Sequence, residues 1–188
     1  MSFVLAELGL PPVREADLRG LVGEGVVRLL ERALGAQASR VGEALPLFEA
    51  HYEAHLLDRT RAYDGVPVML ASAPQKKAVA TNKPGVMARR IVLGLGLAEH
   101  FLRVLGDGDV KRRKPEAEMI EMLLKESGVS RDETLLIGDG RVDIRTARAA
   151  GVACCAVTWG YVARDALLAE SPDHVVDTVP ALSALLRV

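Results

Sequence analysis

The stretch 134-TLLIGDGRVDIRTARAAG-151 decides the fold. It runs from an apolar strand into a glycine-flanked turn and then into a helix closed by Gly151. Two carboxylates, Asp139 and Asp143, sit at that turn with three residues between them. The question is what they hold, and whether the rest of the chain supplies what such chemistry needs.

Working outward, the same alternation fills the chain from residue 62 onward. "KKAVAT", "FLRVLG", "TLLIGD", "ACCAVTWG" and "HVVDT" read as strands. "MARRIVLGL", "PEAEMIEMLLKESG", "VDIRTARAAG", "ARDALLAE" and "PALSALLRV" read as the helices between and after them. Pro115 stands near the start of one helix and Gly128 at its end, the positions each residue favours. Strands alternating with helices predict an α/β fold with a parallel sheet and right-handed crossovers. Residues 14–60 read as helices only, with "AYDGVP" as the turn that follows. The layout is therefore a helical domain over 1–61 and an α/β core over 62–188.

The 188 residues, net charge −1 and 49% hydrophobic content suit one core with a small accessory domain. Balanced charge gives no general pull toward nucleic acid or an anionic membrane. No apolar run approaches the ~18 residues of a membrane span. The opening "MSFVLAELGLPP" does not read as a secretory leader, so a cytoplasmic protein is expected. Cys154 and Cys155 are adjacent on a strand, where they point to opposite faces, so they read as core thiols rather than a disulfide.

Polar groups fall at the predicted carboxyl ends of three strands, where open α/β sheets bind ligands. Thr81 and Asn82 end "KKAVATN", Lys114 follows "RVLGDGDVKRR", and Asp139 ends "TLLIGD" with Asp143 one turn on. A hydroxyl and backbone amides at a strand-to-helix turn can bind phosphate oxygens. A lysine offers a point charge to a phosphoryl group. Paired carboxylates suit Mg²⁺, which takes one or two of them plus water and substrate oxygens. Together these groups describe a phosphoryl-transfer site.

In this order and spacing, "VATNKP", "RRKP" and "IGDGRVD" resemble the haloacid dehalogenase superfamily, and within it the phosphoglycolate phosphatase type. The resemblance covers nearly the whole chain. It implies a doubly wound, Rossmann-like parallel sheet with residues 1–61 as a helical cap. It assigns Thr81 and Asn82 to the transferring phosphoryl group and Lys114 to neutralising it and the nucleophile. Asp139 becomes a Mg²⁺ ligand, and Asp143 ligates the ion or orders its waters. Gly23 and Gly25 fall in a cap loop that in this family faces the active site and helps choose substrate; they read equally well as simple helix interruptions. The implied enzyme is a Mg²⁺-dependent phosphomonoester phosphatase acting on a small phosphorylated metabolite, with 2-phosphoglycolate the leading substrate. No nucleic-acid or membrane partner is implied. A phosphosugar mutase and a non-catalytic phosphate- or partner-binding remnant are the rival readings.

The family's reaction begins at an Asp-x-Asp-Gly-Thr motif on the first core strand, whose first Asp is the nucleophile and whose second is the general acid and base. That motif does not occur in these 188 residues. By resemblance the first strand lies between those ending at Thr81 and Asp139. Its absence would leave a slot of roughly 10 Å between its neighbours. A truncated chain is the expected explanation. Asp107-Gly108-Asp109 copies Asp-x-Asp but reads as a loop. His51 and His55 lie four apart on a helix without a third ligand in sequence, and read as a surface pair. "KRRK" at 111–114 reads as a solvated basic face apart from Lys114. Trp159 and Tyr161 read as packing near the site entrance.

Overall fold

The computed structural model describes residues 1–14 and 25–187. The chain divides into two compact units, Met1–Thr60 and Arg61–Val188.

In the first unit the described residues form helices α1 (Ser2–Glu7), α2 (Val26–Leu34) and α3 (Val41–Ala54), with a 3₁₀ segment over Gly35–Arg40. Gly25 caps α2 with φ of 93°, a conformation that costs glycine little. So the interruption read at Gly25 is a helix boundary, while Gly23 lies outside the described residues. Val4, Leu5, Leu30, Leu34 and Ala44 form this unit's buried core. His51 stacks on Phe3 with ring centroids 4.2 Å apart, and His55 Nδ1 lies 2.7 Å from Asp58 Oδ2. The histidine pair therefore has stacking and hydrogen-bond partners of its own.

Among its described residues the second unit holds five strands: β1 (Ala78–Pro84), β2 (Arg103–Asp107), β3 (Leu135–Gly138), β4 (Ala153–Val157) and β5 (His174–Val176). Its helices are α4 (Val66–Ser72), α5 (Gly85–Gly94), α6 (Glu118–Ser127), α7 (Arg141–Ala150), α8 (Arg164–Leu168) and α9 (Val179–Leu185). All pairings are parallel, which is the expected α/β class. The sequence reading ended its turn at Pro67 and assigned 68–75 to no element; Pro67 instead lies in the first turn of α4, where its missing N–H costs nothing. It also ended the first strand at Thr81. The ladder to β2 in fact resumes at Pro84↔Asp107 after a register shift, so Thr81, Asn82 and Lys83 sit on a bulge.

The strands form two sheets, β1-β2 and β3-β4-β5, and among the described residues β1 makes no ladder with β3. The expected slot between them has not closed by direct pairing. Helix α6 lies against β1 and β2, α7 against β3 and β4, and α6 touches α7. Alternate residues of β4 feed two cores. Cys154 and Ala156 join Ile120, Ile144, Ala147 and Leu167. Cys155 and Val157 join Met69 and Leu182. The two thiols thus face opposite sides of the sheet, as adjacent strand residues must, and both are free.

Candidate active site

Lys114 is the hub of the carboxyl-end cluster. Its ammonium donates to the Ala80 carbonyl at 2.8 Å and to Asp143 Oδ1 at 2.6 Å. It thereby ties β1, just before its bulge, to the head of α7, which follows β3. Both side chains are largely buried, at 11% and 13% exposure, so this ion pair is poorly screened by water.

Lys114 is fixed from its backbone as well. Asn82, buried on the β1 bulge, donates its Nδ2 to the Lys114 carbonyl at 3.0 Å. Glu118, at the start of α6, accepts the N–H groups of Lys111 and Arg112 at 2.9 and 3.0 Å. Those bonds, that of the Lys111 amide foremost, hold the Glu118 carboxyl below its ordinary pKa. Asn82 was expected to bind a phosphoryl group; the geometry gives its amide a second task, holding the lysine. Thr81 adjoins Ala80, and its hydroxyl oxygen accepts the Lys83 N–H at 3.2 Å, a local turn bond.

The two aspartates are seated differently. Asp143 is third in α7, and its Oδ2 accepts the Gly140 N–H at 3.0 Å while Oδ1 holds Lys114. It packs so closely on Gly138 that a Cβ there would overlap its Cβ and Cγ. Asp139 stands one residue beyond β3, and its Oδ2 accepts the Tyr161 N–H at 3.1 Å. A Cβ on Gly160 would overlap Asp139 in the same way. Thr81, Asn82, Lys114, Asp139 and Asp143 are therefore linked through short bonds or adjacent backbone. Gly25 belongs to the other unit.

The loop reading of Asp107–Asp109 fits the bonds found there. Asp109 Oδ2 accepts from Arg89 Nη1 at 2.7 Å and from the Gly106 N–H at 2.9 Å, and Asp107 pairs with Arg113 at 3.2 Å. The Arg89 guanidinium, chiefly, keeps the Asp109 carboxyl below its usual range. Both carboxylates are thus committed to holding their loop.

Among the described residues no group of three or more His, Cys, Asp or Glu forms a metal cluster. Two carboxylates nonetheless satisfy Mg²⁺, which completes its octahedron with water and phosphoryl oxygens. Asp139 has one oxygen engaged by an amide; Asp143 has both engaged. The set fits an ion held directly by Asp139, with Asp143 at one remove. Sequence reasoning passed over Gly160 and Glu118. The signal was present in "TWGY" and "KPEAE", but neither residue type advertises chemistry by itself. Among the described residues no helix is long and apolar enough to cross a membrane.

Comparison with known proteins adds an independent line. A family model described as haloacid dehalogenase-like hydrolase matches residues 2–157. A phosphoglycolate phosphatase of Rhodospirillum rubrum is 36% identical over 173 residues, 86% of this chain and 72% of that protein. A 5′-nucleotidase of Pseudomonas aeruginosa is 30% identical over 190 residues, 100% of this chain and 86% of that one. A crystal structure from Lactobacillus delbrueckii, provisionally assigned as a phosphoglycolate phosphatase, superposes with a TM-score of 0.92 at 26% identity. It covers 98% of this chain and 88% of its own.

Proposed function

The chain belongs to the haloacid dehalogenase-like hydrolase family, and from that premise we propose that it serves Mg²⁺-dependent hydrolysis of a small phosphomonoester, with 2-phosphoglycolate the first substrate to test. The observation that carries this is Lys114, whose largely buried ammonium joins the Thr81 end of β1 to Asp143 beyond β3. A buried lysine paired with one carboxylate, with a second carboxylate and a hydroxyl at neighbouring strand ends, suits binding a phosphate dianion and spreading its charge.

Each residue has a task in this reading. Lys114 meets the phosphoryl oxygens as a point charge. Thr81 offers its hydroxyl beside it, and Asn82 and Glu118 keep Lys114 from swinging away. Asp139 holds Mg²⁺, and Asp143 orients Lys114 and the ion's waters. Bound Mg²⁺ supplies Lewis-acid polarisation of the phosphoryl group. Residues 1–61 take the part of the family's cap in this reading.

The nucleophile is the part these residues do not offer, because Asp107 and Asp109 are both held in ion pairs. The purified 188 residues are expected to bind phosphate and Mg²⁺ but to hydrolyse phosphomonoesters negligibly. The same residues fused behind an apolar strand ending in Asp-x-Asp-Gly-Thr should gain Mg²⁺-dependent turnover. Turnover by the 188 residues alone, abolished by Asp107→Asn, would promote the Asp107–Asp109 loop instead. Similarity to the Pseudomonas 5′-nucleotidase favours a nucleoside 5′-monophosphate as second candidate. A panel of 2-phosphoglycolate, nucleoside 5′-monophosphates and hexose phosphates, assayed for free phosphate and for isomerised sugar phosphate, ranks phosphatase against mutase.

A further inference from the structure

The loop after β4 does not lie where chance would leave it. Thr158 donates its N–H to the Val176 carbonyl at 3.2 Å and its hydroxyl to Asp177 at 2.9 Å. Trp159 packs against the cluster of Met69, Cys155, Val157 and Leu182. Arg164 closes the far end by pairing with Asp177 at 3.2 Å. Between these anchors Gly160 presents a bare Cα to Asp139, and Tyr161 N–H bonds Asp139 Oδ2.

Gly160 is not there for its backbone, because its φ is not among the positive values that favour glycine. It is there for space. A methyl group at 160 would overlap not only Asp139 Oδ2 and Cγ, which side-chain rotation could move, but also its Cβ, which the backbone fixes. The loop is anchored on both sides, so the group that yields is Asp139.

We propose that Gly160, with the Tyr161 amide, is a positioning element for Asp139: it holds one carboxylate oxygen and thereby aims the other at a divalent cation. This rests on the reading of Asp139 as the Mg²⁺ ligand and deepens it. The bond to Tyr161 N–H removes the rotational freedom of an aspartate at a strand end, so the cation meets a ligand already in place.

The test uses the whole 188-residue chain. Its single tryptophan, Trp159, adjoins the seat and serves as a fluorescence reporter. Mg²⁺ is titrated in the presence of inorganic phosphate, with calorimetry as a second readout. Asp139→Asn should abolish binding. Gly160→Ala should weaken it by about tenfold or more, the usual cost of disturbing a ligand's support. Tyr161→Pro, which replaces the N–H with a ring methylene at the same nitrogen, should also weaken it.

A stability cycle separates the positioning claim from the metal claim. The loss caused by Gly160→Ala in the parent protein should fall to roughly half or less in an Asp139→Gly background, where the overlapping atoms are gone. Equal Mg²⁺ affinity for the parent and Gly160→Ala would overturn the inference and leave the metal reading standing. So would a Gly160→Ala penalty unchanged by Asp139→Gly. If the parent binds no Mg²⁺ at all, the metal reading fails and the cation half of the inference with it. The cycle then still decides whether Gly160 seats Asp139.

Discussion

Strands β3 and β4 are neighbours in perfect register, Leu135↔Ala153 through Gly138↔Ala156, and both are apolar. They feed the same two cores on alternate residues. Yet Cys154, Cys155, Ala156 and Val157 are all buried, while Leu135 and Leu136 are half-buried and Ile137 is 39% exposed. The difference is the second edge. Strand β4 has β3 on one side and β5 on the other; among the described residues β3 has only β4. An apolar sequence makes a strand eligible for the core, but neighbours on both edges complete its burial. Strand β1, also paired on one edge, is half-buried in the same way except at exposed Ala78 and buried Asn82.

The contrast can be attacked from its strongest side first. Ala156→Glu puts an unpaired carboxylate at a fully buried position of β4, and should cost about 4 kcal/mol or more and abolish cooperative unfolding in urea. A mild effect would mean that β4 is not the closed strand described. Next comes Lys114→Met, which leaves the largely buried Asp143 carboxylate without its cation at the open side. The expected loss is about 3 kcal/mol by denaturant titration. A loss below about 1 kcal/mol would show that the bridge behaves as an exposed pair.

A smaller change in stability accompanies Ile137→Cys, within about 1 kcal/mol, but it gives the clearest picture. The introduced thiol should react with a disulfide reagent in the native protein. Burial, foremost, pushes the native thiols up to about 12 for Cys154 and about 11 for Cys155, so they should stay silent until denaturant is added. Simultaneous labelling of all three would erase the distinction between the strands.

The smallest effect concerns β2, whose carboxyl end is tied down by Asp109. That carboxyl is depressed in the folded state by Arg89, so its contribution is present above the ordinary carboxylate pKa and is lost as pH falls through the depressed value. Asp109→Asn should flatten the acid limb of the stability curve slightly and leave neutral pH nearly untouched.

The strands and most helices of the second unit were legible because period and punctuation agree there. Gly128 and Gly151 close their helices in left-handed conformations where the sequence placed the stops. Helix α4 was not legible because Gly65 and Pro67 look like a turn when the helix they open is short. Lys114 and the two aspartates were legible as residue types at strand ends. Their supports were not. Glu118 acts through bonds to the backbone, and Gly160 through absence of a side chain next to a residue in a different loop. Such roles exist only once the chain has folded.

The parallel pairing carries a consequence for divergence. Parallel neighbours must be joined by crossovers, so each strand ends in a separate loop rather than a shared hairpin. The segment from Thr158 to Ala163 and the one from Asp107 to Ala117 are therefore separate connections, each anchored inward, by Trp159 and Val162 in the first and by Ala117 in the second. Lineages built on this scaffold can drift in ligand preference one loop at a time, at the loop positions that do not pack inward.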